Sequence, residues 1–403
     1  MSDSPSITKT ILVINCGSSS IKFALIEFPE GKVRATGLVD RLGTPGAEIT
    51  LKIGDLRTEA PLPSAGHGQA MEAIIRTLER TLGGNLKLDG IGHRVVHGGE
   101  SFSHPVRITS DVIAEIERLS KLAPLHNPAN ALGICSAIAA FPNVPQVAVF
   151  DTAFHQTMPK YAYLYAVPFE YYETHGIRRY GMHGTSHHYV GMEAAKLLGK
   201  PFDSLKLITA HLGNGSSACA IRNGQSVDTT MGLTPLEGLM MGTRSGDVDP
   251  GLHLHLHENL DLSLAAINAV LNKQSGLLGV SGVSNDLRSV VEASEAGNER
   301  AAIAVEMLCY RLAKGIGALC AALDSLDALV FTGGIGENST LVREKTIGHL
   351  KVLGAAIDPA RNSRHGRDNN CVISADSSSL SILVVPTNEE WMIASSTAAL
   401  CQD

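Results

Sequence analysis

A chain of 403 residues exceeds what one ordinary hydrophobic core organises, so its length implies two, at most three, compact domains. With 44% apolar and 18% charged residues and a single Trp, the composition is that of a globular protein and excludes disordered and fibrous classes. No apolar run approaches the roughly 18 residues of a membrane span, and a net charge of -7 without a dense Lys/Arg stretch excludes general attraction to nucleic acid.

The N-terminal stretch MSDSPSITKTILVINCG carries an early acidic residue and no basic segment, so no secretory signal is expected and the chain reads as cytoplasmic. Seven cysteines form no C-x-x-C pair and sit mostly among apolar neighbours, which implies reduced core thiols rather than disulfides or zinc.

In chain order, Ile11 to Ile14 predicts a strand that turns at Cys16-Gly17-Ser18-Ser19-Ser20 into a second strand, Ile21 to Ile26. A third, Val33 to Leu38, follows the turn signal Pro29-Glu30-Gly31. The arrangement recurs half a chain later: Leu207 to Leu212, the turn Gly213-Asn214-Gly215-Ser216-Ser217, Ala218 to Arg222, Asn223-Gly224, then Gln225 to Thr230. After each triplet, helices alternate with strands. Met71, Ile74, Ile75, Leu78 and Leu82 share one helical face, as do Val112, Ile113, Ile116 and Leu119, and Gln146 to Phe150 reads as a buried strand. Later, Ile303, Met307, Leu308, Arg311, Leu312, Ile316, Leu319 and Leu323 describe a long amphipathic helix before the strand Leu329 to Phe331. A mixed α/β fold with an internal duplication follows, divided near residues 156–168, and ligands of two such halves are expected where the halves face each other.

The two Gly/Ser turns let backbone N–H groups approach an anion, and their recurrence favours phosphate over ligand-free hairpins. No Walker A loop and no G-x-G-x-x-G after a strand occurs, which disfavours P-loop and dinucleotide folds. Phe331 to Asn338, with Gly333, Gly334 and Gly336, joins a buried strand to a helix expected near Ser339 and reads as a nucleotide contact. Arg94 and Arg244 stand among glycines, where a guanidinium suits carboxylate or phosphate, although an exposed loop Arg is the alternative. His126, His183 and His211 offer further donors, or serve structure alone. His253, His255 and His257 alternate with leucines as on one strand face, but nothing completes a four-ligand zinc site. Asp151 ends a buried strand, where sites of α/β proteins collect. Thr387 and Glu390 form a capping box, which leaves Glu389 for function.

Together, ILVINCGSSSIKF, GHRVVHGGE, APLHNP, VFDTAFHQTMP, RRYGMHGTSH, HLGNGSS, GLMMGTRSGDVDP, FTGGIGENS and PTNEE resemble the acetate kinase family, from residue 11 to about 395. The resemblance implies a duplicated ribonuclease-H-like (actin-like ATPase) fold: an N-terminal domain of residues 1–157 with a returning C-terminal helix, 390–403, and a nucleotide-binding domain of 158–389. It implies a cytoplasmic homodimer that phosphorylates acetate from ATP to give ADP and acetyl phosphate, with Mg2+ (or Mn2+) as cofactor. Asn15 and Glu389 would associate with the metal and Lys22 with the nucleotide phosphates. His211, Leu212, Gly213, Asn214, Gly215, Asp286, Leu287, Arg288, Gly334, Ile335, Gly336, Glu337 and Asn338 would meet ATP. Arg94, Arg244 and His183 would flank the transferring phosphoryl, with Asp151 as the catalytic carboxylate and His126 near the same centre. Val96, Leu125, Met182 and Pro235 would line the alkyl pocket, where the family has Phe in place of Met182. Propionate kinase shares nearly every motif, and Val96 leans toward acetate. A nucleotide-gated binding protein on the same fold would leave Arg94 and Arg244 unexplained.

Overall fold

The structure, a computed structural model, describes residues 8–84, 86–124 and 126–401 and divides into two compact units. The first comprises Met1–Ala153 with Asn388–Asp403, the second Phe154–Thr387. The division thus falls a few residues before the expected one, and Asn388 and Glu389 join the first unit.

In the first unit, β1 (Lys9–Cys16), β2 (Ile21–Phe28), β3 (Lys32–Asp40), β4 (Glu48–Ile53), β5 (Leu56–Pro61), β6 (Gly90–Val95), β7 (Val106–Arg107) and β8 (Gln146–Phe150) form one sheet ordered β5-β4-β3-β2-β1-β6-β8-β7. β1 and β2 pair antiparallel with Asn15 opposite Lys22, whereas β6 runs parallel to both β1 and β8. The run Ile11 to Ile14 is apolar throughout because β1 is covered on both faces. Leu12 and Ile14 pack with Met71, Ile74 and Leu78 of the helix His67–Leu82, while Ile11 and Val13 pack with Ile393, Ala394 and Ala398 of the helix Glu389–Leu400. That last helix lies so close to β6 that a Cβ on Gly92 would stand 2.4 Å from Thr397 Oγ1 and 2.5 Å from Ile393 Cγ2.

In the second unit, β9 (Lys206–Leu212), β10 (Ser216–Arg222), β11 (Gln225–Thr229), β12 (Ala328–Thr332) and β13 (Ser381–Val384) are ordered β11-β10-β9-β12-β13. The helix Glu299–Cys320 turns Val305, Leu308, Leu312, Ile316 and Leu319 onto this sheet, while Ile303 lies outward, 58% exposed. Val190, Ala194 and Ala195 of the helix Gly184–Leu198 belong to a separate core with Leu207, Cys219 and Val330. The two sheets repeat one plan. β3-β2-β1-β6-β8 and β11-β10-β9-β12-β13 each place an antiparallel meander beside two parallel strands. This is the duplicated ribonuclease-H-like α/β fold that the paired strand triplets imply.

Several local expectations are corrected. His253, His255 and His257 lie on the helix Gly251–Leu260 rather than a strand; at about 100° per residue, His255 points away from the face shared by His253 and His257. Among the described residues no three His, Cys, Asp or Glu side chains group as metal ligands. The cap of the last helix is Asn388, whose Oδ1 accepts from the Trp391 N–H, and Thr387 instead bonds Ser186. The glycine-rich segment is itself a short helix, Gly333–Asn338, ahead of the helix Thr340–His349 capped by Ser339. All seven cysteines are free thiols, but Cys135 is exposed. Among the described residues no helix is long and apolar enough to cross a membrane.

Candidate active site

The first unit gathers Asn15, Lys22, Arg94, Asp151, Glu389 and Glu390 around the ends of its central strands. The turn after β1 is tied down from beneath: Asn130 Nδ2 donates to the Cys16 carbonyl at 2.7 Å, and His67 Nε2 to the Gly17 carbonyl at 2.9 Å. Asn15, Lys22 and Glu390 line one cavity of about 340 Å3, together with Lys52 and Arg57. Where β6 and β8 end side by side, Arg94 grips Asp151: Nε donates to Oδ1 at 3.0 Å and to Oδ2 at 3.1 Å, and Nη2 donates to Oδ2 at 2.7 Å. Asp151 is 1% exposed, and its charge raises the pKa of the Arg94 guanidinium against the opposing effect of burial. This geometry leaves Arg94 Nη1 uncommitted among the described residues. Asn130 Oδ1 accepts from the Val96 N–H and Asn127 Oδ1 from the His97 N–H, which fixes the chain leaving β6.

Glu389 opens the last helix. Its carboxyl is pushed above the ordinary carboxylate range, first by burial and then by Asp151 and Glu390, with Arg94 and Lys22 opposing. Its Oε1 is buried without a hydrogen-bond partner among the described residues. A buried, unpartnered acceptor of this kind is costly unless a cation meets it. The Glu389 carboxyl therefore fits a hard divalent cation such as Mg2+, which takes one or two protein oxygens and keeps several waters.

The second unit holds a larger cavity, about 830 Å3, lined by Gly213, Asn214, Asp286, Leu287, Arg288, Gly334, Ile335 and Asn338 among others. Asn285 Nδ2 donates to Asn214 Oδ1 at 3.0 Å across it, and Arg288 at its rim pairs with Asp286. Such a volume suits a nucleoside. Elsewhere in this unit, Arg244 Nη1 donates to the Pro235 carbonyl at 3.3 Å, and burial lowers the pKa of the guanidinium. His183 stacks on His211 with ring centroids 4.3 Å apart. Met182 is buried with Met231 and Met241.

The Acetokinase family matches residues 10–395. This chain belongs to that family. It is 54% identical over 392 residues to an acetate kinase of Ectopseudomonas mendocina, covering 97% of this chain and 99% of that protein. Among solved structures it resembles Porphyromonas gingivalis acetate kinase, with a TM-score of 0.92 and 46% identity over 98% of this chain and 100% of that one. A propionate kinase of Francisella tularensis is as similar, with a TM-score of 0.92 and 45% identity over 97% and 100%.

Not every residue that acetokinase motifs nominate reaches these cavities. Glu337 Oε1 accepts from the N–H groups of Gly333 and Thr387, and the carbonyls of Gly336 and Glu337 accept from Arg343. Those two residues thus brace the glycine-rich helix. Neither His211 nor Leu212 nor Gly215 lines the larger cavity; the ring of His211 instead bonds Ser186. His126 occupies the cap position of the helix Asn127–Ala140, and its carbonyl accepts from Asn130 N–H. Val96 is half-buried, and Leu125 lies outside the described residues. Asn127, Asn130 and Asn285 were not nominated by sequence. Their only signal is an amide among apolar or small residues next to a nominated motif.

Proposed function

We propose that this chain transfers the γ-phosphoryl group of ATP to the carboxylate of acetate, reversibly, giving acetyl phosphate and ADP. One observation carries the reading: among the described residues the Glu389 oxygen is buried without a partner, beside an Arg94–Asp151 pair whose Nη1 is uncommitted. A carboxylic acid with pKa of about 4 to 5 is already ionised at neutral pH, so the attacking oxygen needs no general base. Catalysis is then positioning and charge stabilisation. In a loose, in-line transition state, charge spreads over three equatorial oxygens. Arg94 and Arg244 each offer N–H donors to those oxygens, and His183 offers another; the cations also offset the repulsion between two anions. Asn15 and Glu389 would hold Mg2+, which would neutralise further phosphate charge when bound. Asp151 sets the plane of the Arg94 guanidinium and is not a proton shuttle in the reaction. Lys22 meets the nucleotide phosphates, and the nucleoside occupies the cavity lined by Asn214, Asp286 and Gly334. A homodimer in the cytoplasm accords with the same family membership.

Propionate is the second reading, because Met182 in a methionine cluster is a flexible wall that accommodates a longer chain. Val96 favours acetate. Acyl phosphate formation from acetate, propionate and butyrate decides: the largest kcat/KM is expected for acetate, and a clear preference for propionate overturns the choice.

A further inference from the structure

We propose that His187 and Ser217 are positioning residues for His183, through a one-way hydrogen-bond chain that starts at Thr209 and leaves the imidazole proton of His183 on Nε2. The inference rests on the role given to His183 above. Three contacts build the chain: Thr209 Oγ1 to His187 Nδ1 at 2.7 Å, His187 Nε2 to Ser217 Oγ at 2.8 Å, and Ser217 Oγ to His183 Nδ1 at 2.9 Å. Thr209, His187 and Ser217 are all fully buried.

The buried end fixes the direction. His187 Nδ1 is the one hydrogen-bond partner of the Thr209 hydroxyl among the described residues, so if Thr209 accepted there, its own O–H would be left unpaired in the interior. Thr209 therefore donates to His187 Nδ1. The remaining His187 proton sits on Nε2 and donates to Ser217 Oγ. Among the described residues, the Ser217 hydroxyl proton then has only His183 Nδ1 to receive it. His183 consequently carries its own proton on Nε2. A second proton on His183 Nδ1 would aim two N–H donors at Ser217 and strand the serine proton, so the chain also disfavours the imidazolium. His187 does not take up a proton to relieve this, because burial and the adjacent His155 and His211 rings hold it neutral.

The backbone serves the same end. His183 sits in the left-handed region at φ 59°, where a non-glycine residue is strained, and caps the helix that carries His187. A Cβ on Gly215 would stand 3.3 Å from Arg244 Nη1 and 3.7 Å from His183 Nε2. The protonated nitrogen thus lies on the same side as the guanidinium, where a phosphoryl oxygen takes both donors.

The test is nitrogen-15 NMR of the full chain with labelled histidine, the His183 signals being assigned by their loss in His183→Gln, alongside steady-state kinetics. In the parent, His183 Nδ1 is expected unprotonated and Nε2 protonated. Ser217→Ala and Thr209→Val should mix the tautomers and lower kcat about 10- to 100-fold, the range for a lost supporting contact, with KM for ATP within about twofold. Ser217→Thr should restore both tautomer and rate. A proton on Nδ1 in the parent overturns the chain, as do unchanged resonances and kcat in Thr209→Val. If Ser217→Ala fails to fold, Thr209→Val carries the same two readouts. An active His183→Gln would instead overturn the role of His183 and leave the tautomer result standing.

Discussion

Replacing Asp151 by Asn isolates what the carboxylate does for Arg94. The amide keeps the shape but offers one acceptor oxygen, and its NH2 group meets a guanidinium donor head on, so the bidentate grip of Nε and Nη2 is lost. Removing one partner of a buried ion pair costs about 3 to 5 kcal/mol. Because the Arg94 side chain keeps 21% of its exposure, water takes up part of the loss and about 3 kcal/mol is the appropriate figure. Expressed wholly as misplacement of Arg94 in the transition state, at about 1.4 kcal/mol per tenfold, this lowers kcat roughly 100-fold. The assay is capture of acyl phosphate with hydroxylamine over a pH series and a Mg2+ series. An orienting residue lowers kcat by the same factor at every pH. Loss of one limb of the pH profile with the Mg2+ dependence intact would refute the reasoning and make Asp151 a proton carrier.

Glu389→Gln removes the charge that calls for a cation. The Mg2+-induced rise in thermal stability, about 2.7 kcal/mol at a hundredfold excess over Kd, should disappear in the variant, and an equal rise in both proteins by calorimetry contradicts the assignment. Gly92→Ala pushes a methyl against Thr397 and Ile393, so urea unfolding should show a loss of about 1 to 3 kcal/mol and proteolysis should release the last helix first. His155 is fully buried, and burial lowers its pKa from 6.5 to about 4. Between those values the unfolded chain holds more protons than the folded one. Stability therefore falls on acidification from pH 6.5 toward 4 by about 1.4 kcal/mol per pH unit for this group, and His155→Gln should flatten that slope in denaturant midpoints measured against pH.

The strand triplets were legible because each follows a tight Gly/Ser or Asn-Gly turn and alternates or is buried on both faces, signals that local physics sets. β4 and β5 escaped, because Lys52, Arg57 and Glu59 break any apolar pattern on an edge hairpin that has water on one side. The histidine run LHLHLH mimics a strand, yet Pro250 starts a surface helix there, whose Leu254 stays 59% exposed; period two was fortuitous where no core selects a face. The slip from Thr387 to Asn388 as cap is one residue, below what capping chemistry alone resolves when Thr and Asn adjoin. In the site, Arg94 and Arg244 stand out as cations among glycines, and Asp151 by ending a buried strand. The unpartnered oxygen of Glu389 and the chain through Ser217 did not, because both depend on which groups find a neighbour distant in sequence, 30 and 34 residues away for the two histidines at Ser217.

The helix Glu389–Leu400 closes the face of β1 and β8 that Ile11, Val13, Val147 and Val149 present, although those strands are made in the first 150 residues. During synthesis the ribosome must therefore emit all of the second unit before the first can finish its core. Glu389 arrives with the same helix. A chain cut before residue 389 thus lacks both the helix that covers β1 and β8 and the buried carboxylate proposed to meet the metal.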